Sequence, residues 1–186
     1  DMSNENQEEI IKNDKYFNII SVGRLCYPKG FDDAIKALKK LHEKGLTSIK
    51  WYIVGYGGDE GMLKDLIKKS SLEESFILLG KKTNPYPYMK AADLYVQPSR
   101  YEGKAVTVSE AQILGKPVMI TNYTTAKSQV KDGVDGYICD LSVEGIVEGI
   151  ENLYEDKELR DRLANNSKNT DYGNLHELEK LYKLIK

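Results

Sequence analysis

Phe17-Asn18-Ile19-Ile20-Ser21-Val22-Gly23, followed by the remainder of an eight-residue loop and then Phe31 to Lys44, is the stretch that decides the architecture. Its first part is a short apolar run closed by glycine, which reads as a buried strand. In its second part Ala34, Ile35, Leu38 and Leu41 recur at helical spacing. Asp32 and Asp33 fall in the first turn, where the helix dipole favours negative charge, and Gly45 stops the pattern.

The same alternation continues outward. Ser48 to Val54 reads as a strand, and Met62, Leu63, Leu66 and Ile67 form a helical stripe. Phe76 to Leu79 is a third apolar run, closed by Gly80. Tyr86 to Ala92 is a short helix opened by Pro85 and Pro87, Leu94 to Val96 a strand, Ala105 to Leu114 a helix and Pro117 to Ile120 a strand. Strands and helices exchanging every ten to fifteen residues build right-handed βαβ crossovers over a parallel sheet. The expected fold is therefore α/β, a Rossmann-like three-layer sandwich with a parallel sheet of about six strands. From Ser142 onward only helices are expected. Val143, Ile146, Val147, Ile150 and Leu153 share one face, a further helix spans Lys157 to Ala164, and Leu175, Leu178, Leu181 and Leu184 mark a tail. The expected divisions are a polar lead-in over 1–16, a ligand-binding domain over 17–168 and a helical tail over 169–186. A sheet of this kind binds its ligand beyond the carboxyl ends of its strands, so the loops after Val22, Val54, Leu79 and Val96 should share one rim.

Composition narrows the function. The 186 residues suit one domain rather than two complete ones. With 27 basic and 29 acidic residues the formal charge is −2, which gives no broad surface for nucleic acid. No run approaches the roughly 18 apolar residues of a membrane span. Cys26 and Cys139 stand in unrelated contexts, far from His42 and His176, so neither a disulfide scaffold nor a zinc spacing is expected. Asp1 to Lys15 is polar and lacks the basic start and apolar centre of a signal peptide, so a cytoplasmic setting is expected.

The most informative segment for chemistry is Pro98-Ser99-Arg100-Tyr101-Glu102-Gly103-Lys104-Ala105-Val106-Thr107-Val108-Ser109-Glu110-Ala111. It holds a strand end, a glycine turn and a helix start between two carboxylates. If the helix begins near Lys104, its free amides and positive dipole end can hold a phosphate, and Gly103 permits close approach. At about 1.5 Å rise per residue the carboxylates lie roughly 12 Å apart. That matches the span from a sugar ring across a diphosphate to a ribose. Glu110 stands beside Ala111 in a helix that also carries Val106 and Val108, which reads as mostly buried, so its carboxylate needs a partner.

These residues resemble the Glu-x7-Glu signature of family 4 retaining glycosyltransferases (glycosyl transferases group 1), in the C-terminal half of their GT-B fold. Val22-Gly23-Arg24-Leu25 with Lys29-Gly30-Phe31 resembles that family's donor loop. Val54-Gly55-Tyr56-Gly57-Gly58, Leu79-Gly80, Ala92-Asp93-Leu94-Tyr95-Val96-Gln97-Pro98-Ser99, Gly115-Lys116-Pro117-Val118 and Asp132-Gly133-Val134-Asp135-Gly136 follow in the family's order, over roughly residues 17 to 165. The resemblance implies a nucleoside-diphosphate sugar donor, UDP- or GDP-linked, as substrate, with no cofactor and no metal. By that resemblance Arg24 and Lys29, after Gly23, neutralise the diphosphate. Glu110 accepts from ribose hydroxyls, and Glu102 engages the donor sugar near the reacting carbon. Backbone amides of Gly103, Lys104, Ala105, Val106 and Thr107 cap the diphosphate and sugar. Gly103-Lys104-Ala105 stands where the family often has Gly-Phe-Gly or Gly-Phe-Pro, which leaves donor identity open.

The resemblance further implies a hexosyltransferase acting with retention, in which the acceptor hydroxyl attacks from the face the nucleoside diphosphate leaves and the leaving phosphate serves as base. An N-terminal acceptor-binding domain of the same protein is implied as partner, with cell-surface polysaccharide assembly as setting and peripheral association at the inner face of the membrane through that domain. Without it, the chain alone is expected to transfer nothing. A GT-B sugar-nucleotide epimerase half and a non-catalytic nucleotide-sugar-binding module remain the alternatives.

Competing motifs fall short. Gly55-Tyr56-Gly57-Gly58-Asp59-Glu60 has Glu60 where a dinucleotide fingerprint needs glycine. Gly115-Lys116-Pro117 lacks a Walker loop's upstream glycine and downstream hydroxyl, and the Asp132 to Gly136 turn lacks further calcium ligands. No Asp-x-Asp occurs to clamp a metal-bound diphosphate. Tyr86 and Tyr88 read as half-buried residues at element ends rather than as stacking platforms.

Overall fold

The computed structural model describes residues 11–170, 179–181 and 183–184. Its six strands are β1 (Phe17–Val22), β2 (Ile49–Val54), β3 (Phe76–Gly80), β4 (Leu94–Gln97), β5 (Val118–Thr121) and β6 (Tyr137–Cys139). Its bounded helices are α1 (Phe31–Glu43), α2 (Glu60–Lys69), α3 (Tyr86–Ala91), α4 (Val106–Ile113), α5 (Ala126–Gln129), α6 (Val143–Glu155) and α7 (Lys157–Asn169), with a 3-10 turn at Tyr27–Lys29. The strands form one parallel sheet in the order β3-β2-β1-β4-β5-β6. The expected α/β sandwich with a six-strand parallel sheet is present. Strand order reverses between β1 and β4, which places a crevice beyond their carboxyl ends.

The period-2 alternation of the strands splits the core in two. Ile19, Trp51, Ile53, Phe76, Leu94 and Met119 pack on the face covered by α1, α2 and α6. Ile20, Tyr52, Val54, Tyr95, Val118 and Ile120 pack on the face covered by α3, α4 and α5. Helix starts are capped where the sequence supplies an oxygen. Ser142 accepts from Gly145 N–H at α6, and Asp156 accepts from Leu159 N–H at α7.

Several expectations shift in detail. Met62 is exposed, so the stripe of α2 is carried by Leu63 and Ile67. α4 starts at Val106 rather than near Lys104, because Ala105 is still extended. Val106 itself is exposed on the rim, so only the later part of that helix is buried. α7 continues past Ala164 to Asn169. Tyr88 is a fully buried core residue. The short β6 and α5 were not expected as elements. The turn before β6 is pinned by Asp135, which accepts from Lys131 N–H, and by Asp132, which accepts from Ile138 N–H. Both carboxylates therefore work as turn caps. In the tail, 179–181 and 183–184 are helical and Leu181 is buried, whereas Leu175, Leu178 and most of the lead-in lie outside the described residues.

Candidate functional site

The rim loops are drawn together by glycines that no other residue could replace in place. Gly55 (φ +153°) runs so close to Gly23 that an added Cβ would stand 1.8 Å from the Gly23 carbonyl oxygen. Gly30 (φ +69°) approaches the Pro98 carbonyl oxygen within 2.1 Å of where a Cβ would be. Arg100 N–H and Tyr101 N–H both donate to Pro28 O, at 2.8 and 3.3 Å. The loop after β1 is thereby bound edge to edge with the loop joining β4 to α4.

The starts of α1, α2 and α4 on this rim differ in charge. α1 carries Asp32 and Asp33, and α2 carries Glu60. α4 has no acid in its first turn and no side-chain cap. Among the described residues the backbone N–H groups of Gly103, Lys104, Ala105, Val106 and Thr107 donate to no protein acceptor. The Cβ direction of Gly103 opens on free space, and Lys104 is exposed beside it. Consecutive unpaired amides at an uncapped helix start form a concave anion site. At α1 that role is closed, since Arg100 reaches both oxygens of Asp32 at 2.9 Å and Asp33 Oδ2 at 2.8 Å. Burial pushes the Asp32 carboxyl up, but the hydrogen bonds and charge of Arg100 outweigh it and leave the group below the usual carboxylate value.

Lys29 and Glu102, given separate tasks by the sequence, are in contact here, with Lys29 Nζ 2.5 Å from Glu102 Oε1. Arg24 is exposed and makes no ion pair among the described residues. Glu102 is nearly enclosed, its side chain 8% exposed. Its Oε1 also accepts from Ser99 Oγ at 2.7 Å and from Gln97 Nε2 at 3.1 Å. Behind this carboxylate lies a buried polar column. Gln97 Nε2 donates to Ser99 Oγ at 2.8 Å, while Gln97 Oε1 faces the Tyr95 hydroxyl at 2.6 Å and the Thr107 hydroxyl at 3.3 Å. The Tyr95 phenol is fully buried, and burial raises its pKa far above the usual value. The Thr107 side chain thus turns inward to the column, and only its backbone N–H faces the rim. In front of Glu102 a pocket of about 230 Å³ is lined by Tyr101, Glu102, Gly103 and Thr124.

Glu110, further along α4, accepts from the Tyr86 hydroxyl at 3.0 Å. Between the loops after β1, β2 and β3 a pocket of about 240 Å³ is bounded by Gly23, Arg24, Val54, Tyr56, Lys82 and Pro85 among others. Lys116 donates to Ala92 O at 2.7 Å and its amine is lowered by burial, so it braces the chain rather than meeting a phosphate. Among the described residues no three His, Cys, Asp or Glu are grouped as metal ligands, and no helix is long and apolar enough to cross a membrane.

Sequence reasoning missed Tyr95, Gln97 and Ser99 as site residues, and it missed the inward hydroxyl of Thr107. The signal was present. Tyr95 and Gln97 alternate on one face of a strand otherwise made of Leu94 and Val96, with Ser99 two residues on, and buried polar residues must find one another.

A family model described as glycosyl transferases group 1 matches residues 2–170. The chain is 32% identical over 167 residues to the N-acetylgalactosamine-N,N'-diacetylbacillosaminyl-diphospho-undecaprenol 4-alpha-N-acetylgalactosaminyltransferase of Campylobacter jejuni, covering 87% of this chain and 43% of that protein. It is 30% identical over 163 residues to the amylovoran biosynthesis glycosyltransferase AmsD of Erwinia amylovora, covering 86% of this chain and 45% of that protein. The chain therefore spans under half the length of these relatives. The pneumococcal O-GlcNAc transferase GtfA, solved in complex with UDP and GlcNAc, superposes with a TM-score of 0.79 at 24% identity over 92% of this chain and 36% of that one.

Proposed function

This chain belongs to the glycosyl transferases group 1 family, and from that premise we propose that it is the donor-binding half of a retaining glycosyltransferase. The five amides at the acid-free start of α4, which donate to no acceptor among the described residues, carry this reading beside Lys29 and Glu102. The donor diphosphate lies on the amides of Gly103 to Thr107, with Arg24 and Lys29 supplying positive charge as the nucleoside diphosphate departs. Glu110 takes the ribose hydroxyls and shares them with Tyr86. The nucleobase occupies the 240 Å³ pocket between Gly23, Tyr56 and Pro85. Glu102 faces the donor sugar, where an ionised carboxylate stabilises the positive charge that develops at the reacting carbon. Transfer proceeds without a metal, and the leaving phosphate takes the proton of the acceptor hydroxyl.

The remainder of the protein supplies the acceptor pocket, and the acceptor is a glycan or lipid-linked saccharide at the cytosolic face of the membrane. The names of the Campylobacter and Erwinia relatives support polysaccharide or lipid-linked assembly, and the UDP bound to GtfA supports UDP as the first nucleotide to try. Calorimetric titration of the 186-residue chain with UDP, GDP and their nucleosides tests the reading. Binding of one diphosphate with a Kd below about 1 mM, and of its nucleoside much more weakly, is expected. No heat with either diphosphate at several millimolar overturns it.

A further inference from the structure

We propose that Gln97 is a positioning residue for the reaction at Glu102: its amide, locked by Tyr95 and Thr107, forces the Glu102 carboxylate to present one fixed oxygen to the donor sugar. The proposal rests on the reading of Glu102 as the residue facing that sugar.

Gln97 is fully buried at the carboxyl end of β4, where the sheet changes direction. An amide can point two ways, and its neighbours decide which. The Tyr95 and Thr107 hydroxyls both have protons to give, and Gln97 Oε1 faces them. The nitrogen side then meets Ser99 Oγ and Glu102 Oε1. A reversed amide would set its oxygen 3.1 Å from Glu102 Oε1 and its N–H groups against hydroxyls that already lie within 2.8 Å of each other. Two acceptors would then face each other in a buried place, which costs more than the flip can return. The Ser99 hydroxyl accepts from Gln97 and so donates its O–H to Glu102 Oε1.

Three donors thus converge on Glu102 Oε1: the Lys29 ammonium, the Ser99 hydroxyl and the Gln97 amide. An oxygen that accepts three hydrogen bonds has no capacity left for a further donor. The rotation of the carboxylate is stopped, which leaves Oε2 for the pocket lined by Tyr101, Gly103 and Thr124. Catalytic carboxylates work only when held to a fraction of an ångström, and that precision comes from the shell behind them. The column also reaches α4, because Thr107 offers its hydroxyl to Gln97 from the same turn whose amides face the rim.

The experiment compares UDP with UDP-glucose on the 186-residue chain, or GDP with GDP-mannose if the wild type selects guanine. Gln97→Met keeps the volume and removes both amide functions; Gln97→Glu keeps the shape and replaces the donor with a carboxylate. In Gln97→Met the ratio of nucleotide-sugar to nucleoside-diphosphate affinity should fall about tenfold, while diphosphate affinity stays within about twofold. In Gln97→Glu the same ratio should fall at pH 8 and recover as the pH is lowered, because the new side chain donates only when protonated. A residue that merely fills the core gives no such recovery. Equal losses for both ligands, or an unchanged ratio, overturn the proposal, and if Gln97→Met lacks a cooperative melting transition the pH series on Gln97→Glu decides alone. Failure of the wild type to bind either diphosphate sinks the donor-site reading and this proposal with it. Normal wild-type binding with an unchanged ratio in the variants sinks this proposal only.

Discussion

Lys29 Nζ stands 2.5 Å from Glu102 Oε1, joining two residues 73 positions apart across the crevice between the β1 and β4 loops. The cation assigned to the diphosphate is thus already engaged by the carboxylate assigned to the sugar. Arg24, by contrast, is exposed and makes no ion pair among the described residues.

Arg24→Ala and Lys29→Ala should each weaken nucleoside diphosphate binding more than nucleoside binding, by about 1.5–3 kcal/mol per lost charge-assisted hydrogen bond. They should differ in stability. Arg24→Ala leaves the melting temperature unchanged, while Lys29→Ala lowers folding stability by about 1 kcal/mol, since Ser99 and Gln97 still satisfy Glu102. Calorimetry and thermal melts on the two variants separate these effects, and equal loss of nucleoside and diphosphate affinity would count against the assignment.

Arg100 joins β4 to the start of α1 through Asp32 and Asp33, and its guanidinium covers the Tyr27 ring at 4.3 Å. The Asp32 carboxyl is lower in the folded protein than its usual 3.8. Its contribution to stability is therefore fully present above about pH 4 and is lost as the pH falls through the lower folded value. Arg100→Ala should cost about 2–3 kcal/mol at pH 7 and flatten the fall in melting temperature below pH 4. A variant curve parallel to the wild type through that range would contradict the linkage.

The two thiols should react very differently. Cys139 ends β6 in the core, where burial pushes its thiol up to about 12, while Cys26 is partly exposed in the loop after β1. A disulfide reagent at pH 8 should modify one thiol in the native chain and two in denaturant. Bound nucleoside diphosphate should slow the native reaction, because Cys26 lies between Arg24 and Lys29. Rapid native labelling of both thiols would show that β6 opens easily.

Much of this architecture was legible because period and punctuation agreed. β1, α1 and α3 fall within a residue of where apolar spacing, Gly23, Gly45 and Pro85 put them. β6 escaped because three residues, Tyr137 to Cys139, carry no period of their own and are fixed by the Asp132 and Asp135 caps before them. Val106 misled because an apolar residue in a first turn can face the rim as easily as the core. The glutamate spacing was legible along one segment. The partners were not, since Lys29 with Glu102 and Tyr86 with Glu110 meet only when β1, β3 and β4 have assembled. Gln97 was quoted as part of a motif, but its task depends on which way an amide points, which only Tyr95 and Thr107 decide.

The two glutamates should separate by ligand, because Glu102 stands in the loop before α4 and Glu110 lies within the helix. Glu110→Gln removes acceptor strength towards ribose hydroxyls while its neighbour Tyr86 can still hydrogen-bond to the amide. Binding of the plain nucleoside diphosphate should therefore fall by roughly 1–2 kcal/mol. Glu102→Gln should leave that binding nearly unchanged. In the intact protein it should instead lower turnover, since the charge it removes matters only as positive charge develops at the reacting carbon. The amide would also bring N–H groups or an unmatched oxygen to the three donors around Oε1, so Glu102→Gln should lose stability where Glu110→Gln does not. Calorimetry on the chain, kinetics on the intact protein and melts on both use the same two variants. If Glu102→Gln abolished diphosphate binding while Glu110→Gln did nothing, the donor would lie along α4 in the opposite direction, with its ribose at Glu102 and its sugar beside Tyr86.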